Sequence, residues 1–217
     1  MLQNKNLVFD LDNTLYYAGK SIENLVDAKI IDFFAINLHI SLKEAQQLMN
    51  DIRYRYFYEA EAMEKDFPFS KYDFLEYVCD VDVSQLHRND ELNLLLANLP
   101  QCKFILTDST LKHVRDVLQA TGIDENNFSG IFDAHDMNYT FKYNPRSYES
   151  FLQKFCLKAE DCVIFEDNIR NLEVAKSLGF VTVMISPEHD REYAFVDYRF
   201  NDINSALRYL NGLNKNF

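Results

Sequence analysis

Apolar and polar positions alternate in two different ways along the chain. Leu7, Val8 and Phe9 form an unbroken apolar run, the pattern of a parallel strand covered on both faces. From about Gly19 to about Leu99 the spacing is helical. In "SIENLVDAKIIDFFAINL" the apolar residues Ile22, Leu25, Val26, Ile30 and Phe33 recur on one face. "SLKEAQQLMNDIRYRYFYEAEAMEK" opens with Ser41 and Glu44 at capping-box spacing, which starts a second helix. Further helices follow Ser70 in "SKYDFLEYVC" and Asn89 in "NDELNLLLANL". From Lys103 onward strands and helices alternate. Strand "KFILT" is followed by helix "STLKHVRDVLQAT", stopped by Gly122, a short strand near "GIFDAHD" and helix "PRSYESFLQKFC". Strand "CVIFED", helix "NIRNLEVAKSL", stopped by Gly179, and strand "FVTVMIS" complete the series, with "DYRF" as a last edge strand. This order predicts an α/β fold: a parallel sheet of right-handed crossover units from residues 1–18 and 100–217, with a small helical bundle, 19–99, inserted after the first strand.

In such a sheet the ligand site lies beyond the carboxyl ends of the strands. Four strand ends carry polar residues: Asp10 and Asp12, Thr107 and Asp108, Asp133 and Asp136, and Glu166 and Asp167. Residues two apart on a strand point the same way, so Asp10 and Asp12 can reach one small volume while Leu11 turns into the core. Like charges held that close are costly without a counter-charge. An Asp-x-Asp alone is more often a turn or helix cap, but the distant Glu166–Asp167 pair, directly continuing a buried strand, favours a site.

Composition narrows the partners. With 34 acidic against 22 basic side chains the formal charge of the 217 residues is -12, which argues against a nucleic acid polymer or an anionic membrane surface. A small anion remains compatible, because a local site can be electropositive. Cys79, Cys102, Cys156 and Cys162 form no C-x-x-C pair, so neither a zinc site nor a disulfide framework is indicated, and reduced thiols suit the cytoplasm. The N-terminus carries no basic-then-apolar leader, and no apolar run approaches a membrane span. The expectation is a cytoplasmic protein, a monomer or weak homo-oligomer.

The segments "FDLDNTLY", "ILTDS", "FKYNPRSYESF" and "IFEDNIRNLEVAKSLGFVTVMI", in this order and with a helical insertion after the first, resemble the four motifs of the haloacid dehalogenase superfamily of phosphatases. The nearest likeness is to its pyrimidine 5'-nucleotidase-like branch. The resemblance covers about Leu7 to about Ser186 and implies a Rossmann-like core with a helical cap, a magnesium cofactor and a small phosphorylated metabolite as substrate. A carboxylate attacks a phosphate dianion poorly because the charges repel, and a magnesium ion bridging both removes that barrier. Asp10 fits as the nucleophile that forms an aspartyl-phosphate and as a metal ligand. Asp12 fits as the general acid and base, its backbone carbonyl binding the metal as in the family. The likeness assigns Asp167 to the metal, Glu166 to support of metal-bound water, and Thr107, Asp108 and Lys142 to the phosphate. Two positions depart from the family pattern. Tyr143 stands where proline usually follows the lysine, and Asp108 where the branch often has asparagine.

Other features read more plainly. Tyr54, Tyr56, Phe57 and Tyr58 tempt one to see a base-stacking platform, but aromatics on a helix mostly fill a bundle core. The five histidines, His113 and His135 among them, show no metal-ligand spacing and read as ordinary surface or core residues. A 2-haloacid dehalogenase needs neither magnesium nor a carboxylate at position 12. A phosphomutase would keep every motif, and a non-catalytic binding protein could retain the fold.

Overall fold

The first strand, β1 (Asn6–Phe9), lies inside the sheet rather than at its edge. It is flanked by β2 (Lys103–Leu106) and β4 (Cys162–Glu166). Outside these run β3 (Gly130–Phe132) on one side and β5 (Val181–Ile185) and β6 (Tyr198–Phe200) on the other, giving the order β3-β2-β1-β4-β5-β6, all parallel. This computed structural model describes residues 2–56, 58–187 and 191–214. Val8, Phe104 and Ile164 face one side of the sheet with Tyr148, Phe151 and Leu172, while Leu7, Phe9, Ile105, Val163 and Phe165 occupy the alternate positions. All are buried, so the sheet is covered on both faces, as continuous apolar runs require. Phe9 stacks on Phe165 with ring centroids 4.8 Å apart.

The helices of this unit are α5 (Asp90–Ala97), α6 (Leu111–Thr121), α7 (Pro145–Lys154), α8 (Ile169–Ser177) and α9 (Ile203–Asn214). Gly122 ends α6 in the left-handed conformation expected of it. Helix α9 was not anticipated from the sequence, although Ile203, Ala206, Leu207 and Leu210 are buried at helical spacing. It packs on α5, with Arg208 paired to Glu91 and Asn204 bonded to Asn89.

The chain divides into two compact units, Met1–Ala18 with Leu86–Phe217, and Gly19–Gln85. The expected boundary at 99 therefore shifts, because α5 buries Leu92 and Leu96 and packs on α9 in the first unit. The second unit holds α1 (Lys20–Leu38), α2 (Leu42–Arg55), α3 (Ala60–Lys65) and α4 (Lys71–Val78). The Ser41–Glu44 capping box is formed in full. The long helix expected after it stops at Arg55, where Tyr56 adopts an extended conformation, and α3 begins separately. The aromatic core of the unit is not the tyrosine tract. Phe33 packs edge-on against Phe34, Phe69 and Phe74, with Phe74 at 5.1 Å. Tyr54 is 93% exposed, and Tyr56 bonds to Asp66 beside Arg55 and Lys65; Phe57 lies outside the described residues. Among the described residues no helix is long and apolar enough to cross a membrane.

Candidate active site

Asp10 is the first residue past β1, and its N–H still donates to the Phe165 carbonyl at 2.9 Å. The ladder thus fixes the backbone from which the carboxylate projects. Leu11 turns into the core with no exposure, and the chain then folds back, with Leu15 N–H on the Leu11 carbonyl at 3.0 Å and Asn13 left-handed at φ 60°. This turn separates the two carboxylates into different surroundings.

Asp10 is 5% exposed and pairs with the Lys142 ammonium. The same Lys142 Nζ donates to Glu166 Oε2 at 2.8 Å, and both partners are almost fully enclosed. Burial pushes the Asp10 carboxyl up to about 8, helped by the Glu166 charge and opposed by Lys142. Asp167 rises to about 9 from burial and from the charges of Glu166 and Asp10. Lys142 loses from burial, yet the facing carboxylates Asp10 and Glu166 hold its pKa well above the ordinary value. One ammonium therefore faces a group of carboxylates that it does not satisfy.

Oxygens of Asp10, Glu166 and Asp167 lie within 4.8 Å of one another. An all-oxygen donor set with excess negative charge fits a magnesium ion. Within it the roles differ. Glu166 Oε1 accepts the Asn168 N–H at 3.0 Å, and Oε2 accepts Asn171 Nδ2 at 3.3 Å as well as Lys142. Glu166 is thus committed to protein donors, so Asp10 and Asp167 are the side chains that would hold the ion directly. Glu166 would act behind them.

Asp12 stands apart from this cluster. Its side chain is 34% exposed and accepts three protein donors: Tyr16 OH, Ser109 Oγ at 2.7 Å and His113 Nε2 at 2.8 Å. Burial alone would raise its pKa, but His113, Tyr16 and Ser109 together outweigh that and bring it to about 2. Burial and the Asp12 charge drive the Tyr16 phenol strongly upward, so it stays a donor. The sequence reading missed Tyr16, Ser109 and His113. Tyr16 follows Asp12 by four residues and Ser109 follows Thr107 by two, a signal in the motifs themselves, whereas His113 shows only as a polar residue on the inner face of α6.

Thr107 directly follows β2, buried, its Oγ1 accepting the Ser109 N–H at 3.1 Å, which leaves the hydroxyl proton to donate. Asp108 differs from expectation. Its Oδ1 accepts the Lys142 backbone N–H at 2.8 Å, so this carboxylate fixes the loop that carries the lysine. A carboxylate directed at phosphate would repel it. Asp133 and Asp136 lie outside the cluster: Asp133 caps α6 through the Leu111 N–H at 3.0 Å, and Asp136 pairs with Lys154 at 2.6 Å. His135 is exposed, and the four cysteines are not joined in disulfides.

A family model of haloacid dehalogenase-like hydrolases matches residues 5–179. The chain belongs to this family of hydrolases. Among curated proteins it is 25% identical over 193 residues to "Phosphate metabolism protein 8" of Saccharomyces cerevisiae, a match covering 81% of this chain and 59% of the yeast protein. Among solved structures it is similar to a HAD phosphatase from Thermococcus onnurineus, with a TM-score of 0.66 and 20% identity over 96% of this chain and 98% of that one. The hydrolase YfnB of Bacillus subtilis, solved bound to magnesium, matches with a TM-score of 0.62 and 17% identity over 96% and 99% of the two chains. At these identities the structural likeness establishes the fold, a HAD-like α/β core with a helical cap.

Proposed function

We propose that this hydrolase is a magnesium-dependent phosphomonoesterase that works through an aspartyl-phosphate on Asp10, with pyrimidine nucleoside 5'-monophosphates as the first substrates to try. The observation that carries the reading is the division between the two opening carboxylates. Asp10 is buried on Lys142 inside a group of carboxylates that fits a divalent cation, whereas Asp12 is held by three neutral or basic donors outside it. A carboxylate that attacks a phosphate dianion needs cations beside it, and an acid–base group needs a place clear of them. Magnesium, when bound, supplies charge neutralisation between carboxylate and phosphate. Asp10 attacks phosphorus, and Lys142 and Thr107 balance the phosphoryl oxygens; Asp12, ionised in the free protein, takes up a proton from solvent as the phosphate dianion arrives beside it, hands it to the leaving oxygen and later takes one from water. The names of the yeast and Thermococcus relatives point the same way. Dehalogenation of a 2-haloacid makes no use of a cation or of a carboxylate at position 12.

The decisive test is inorganic phosphate release from a panel of pyrimidine and purine nucleoside monophosphates and sugar phosphates, with magnesium and with chelator, alongside halide release from 2-chloropropionate. Turnover of a phosphomonoester that requires magnesium supports the reading. Halide release in chelator without phosphate release overturns it, and isomerised sugar phosphate without free phosphate would assign a mutase instead.

A further inference from the structure

Three donors converge on Asp12, but they differ in origin. Tyr16 and Ser109 belong to the same two strand-end turns as Asp12 and Thr107, and such turns place polar groups together in any case. His113 comes from the first turn of α6, is 3% exposed, and shares the buried face of the helix with Val114, Val117 and Leu118, where an apolar residue would pack without cost. Its Nε2 lies 2.8 Å from Asp12 Oδ1 across 101 residues of sequence. An ionised carboxylate only accepts, so Nε2 carries the proton in this contact. Helix α6 is itself fixed at its start, with Thr110 Oγ1 accepting the His113 N–H and Asp133 Oδ2 accepting the Leu111 N–H. The imidazole is therefore mounted on a rigid element, whereas Asp12 sits on a turn and is partly exposed.

We propose that His113 is a positioning residue for the proton transfers made by Asp12, its Nε2–H holding the Asp12 carboxyl in line with the leaving oxygen. The inference rests on the phosphatase reading and extends it to a residue outside the motifs. A carboxyl free to rotate delivers its proton less often in the reactive geometry, and the deficit shows only where the leaving oxygen needs that proton. An alkyl phosphate leaves as a strongly basic alkoxide and needs it; p-nitrophenyl phosphate leaves as a weakly basic phenolate and does not.

The test compares kcat on an alkyl and an aryl phosphate for wild type, His113→Gln, His113→Phe and His113→Asn. The Gln amide nitrogen falls near the place of Nε2 and keeps the donor. Phe keeps the ring and its packing without it, and the shorter Asn cannot reach Asp12. The expected order on the alkyl ester is wild type, then Gln, then Phe and Asn, the last two lowered by about 10- to 100-fold, a part of the 10²- to 10⁴-fold that proton transfer typically supplies. On the aryl ester the losses should be several-fold smaller. If only one of the donor-less variants folds, it still sets the comparison with Gln. A Phe variant at or above Gln, or equal losses on both esters, overturns the proposal while leaving the phosphatase reading intact. The alkyl ester is the best substrate of the panel above, and a wild type inactive on every phosphomonoester of that panel overturns the phosphatase reading and this proposal with it.

Discussion

The carboxylates of the candidate metal site should make the metal-free protein lose stability as pH rises, and magnesium should remove that loss. Asp10 and Asp167 sit near 8 and 9 in the folded chain, against 3.8 for an ordinary aspartate. Between about pH 4 and pH 8 the folded state thus holds protons that the unfolded chain has released, so stability falls with rising pH across this window. Each proton held in excess steepens the fall by about 1.4 kcal/mol per pH unit. Lys142, raised above its usual value, contributes stability that is lost only at still higher pH, and the depressed Asp12 contributes stability lost only in acid, so neither reverses the sign. Counting a single excess proton for the pair, the step from pH 6 to pH 8 removes about 2.7 kcal/mol, or about 5–10 °C of thermal midpoint for a chain of this size. Magnesium competes with those protons and binds the ionised form, so it should add about 2.7 kcal/mol at a hundredfold excess over its Kd, and more at pH 8 than at pH 6. The assay is a set of calorimetric melts at the two pH values, with chelator and with saturating magnesium at matched ionic strength. Asp167→Asn serves as reference, because it removes one shifted carboxyl and a metal ligand and relieves the charge on Asp10. A chelated midpoint as high at pH 8 as at pH 6, with Asp167→Asn showing the same profile and the same magnesium response as wild type, would refute the reasoning.

Asp10→Asn should reduce phosphate release by several orders of magnitude while its melting midpoint stays at or above that of wild type, since it removes one titrating carboxyl from a crowded cluster and little volume. Lys142→Ala should lower kcat/KM by at least about 10²-fold and destabilise by about 3–5 kcal/mol, because Asp10 and Glu166 then face each other unpaired. Lys154→Ala, which breaks a half-exposed pair with Asp136 and removes the ammonium from over the Phe132 and Phe155 rings, should cost no more than about 2 kcal/mol and leave turnover unchanged. Asp108→Asn keeps an acceptor for the Lys142 N–H and should retain kcat/KM within a few-fold; Asp108→Ala should lose about tenfold or more, read from initial rates on the same ester.

Periodicity and strand-end chemistry made most of this arrangement legible. Continuous apolar runs at Leu7–Phe9 and in "CVIFED" announced strands buried on both faces, and the switch to helical spacing marked the insertion. The misreadings came where local pattern and tertiary packing separate. The stretch at 90–97 is as helical as its predecessors, and its packing on α9, more than a hundred residues later, with Asn93 bonded to Asp124 and Asn127, assigns it to the core unit. Aromatic density at Tyr54 and Tyr56 suggests a core, but Tyr54 is exposed, and Tyr56 bonds Asp66 through its hydroxyl with Arg55 and Lys65 over its ring. His113 was passed over because histidine on an apolar face carries no signal until the group opposite it is known.

The lysine loop shows what a departure from a sequence pattern can mean physically. Tyr143 supplies no ring to fix the backbone after Lys142, and the approach is unusual, with Asn138, Tyr139 and Phe141 all left-handed. For the two aromatic residues that conformation costs on the order of 1 kcal/mol or more each, and it persists only where surrounding bonds over-determine it. Those bonds are present. Ser147 Oγ donates to the Phe141 carbonyl at 2.6 Å and meets Thr140 Oγ1 at 2.7 Å, while Tyr139 N–H reaches the Ala134 carbonyl at 2.9 Å. Asp108 accepts the Lys142 N–H itself, and a proline does enter two residues later than the pattern expects, as Pro145 at the first turn of α7 behind the Asn144 cap. The chemistry constrains the place of the Lys142 ammonium between Asp10 and Glu166, not the residue that follows it. A rigid neighbour in sequence is one way to hold that place, and a set of side-chain bonds from the turn after β2 and from α7 is another.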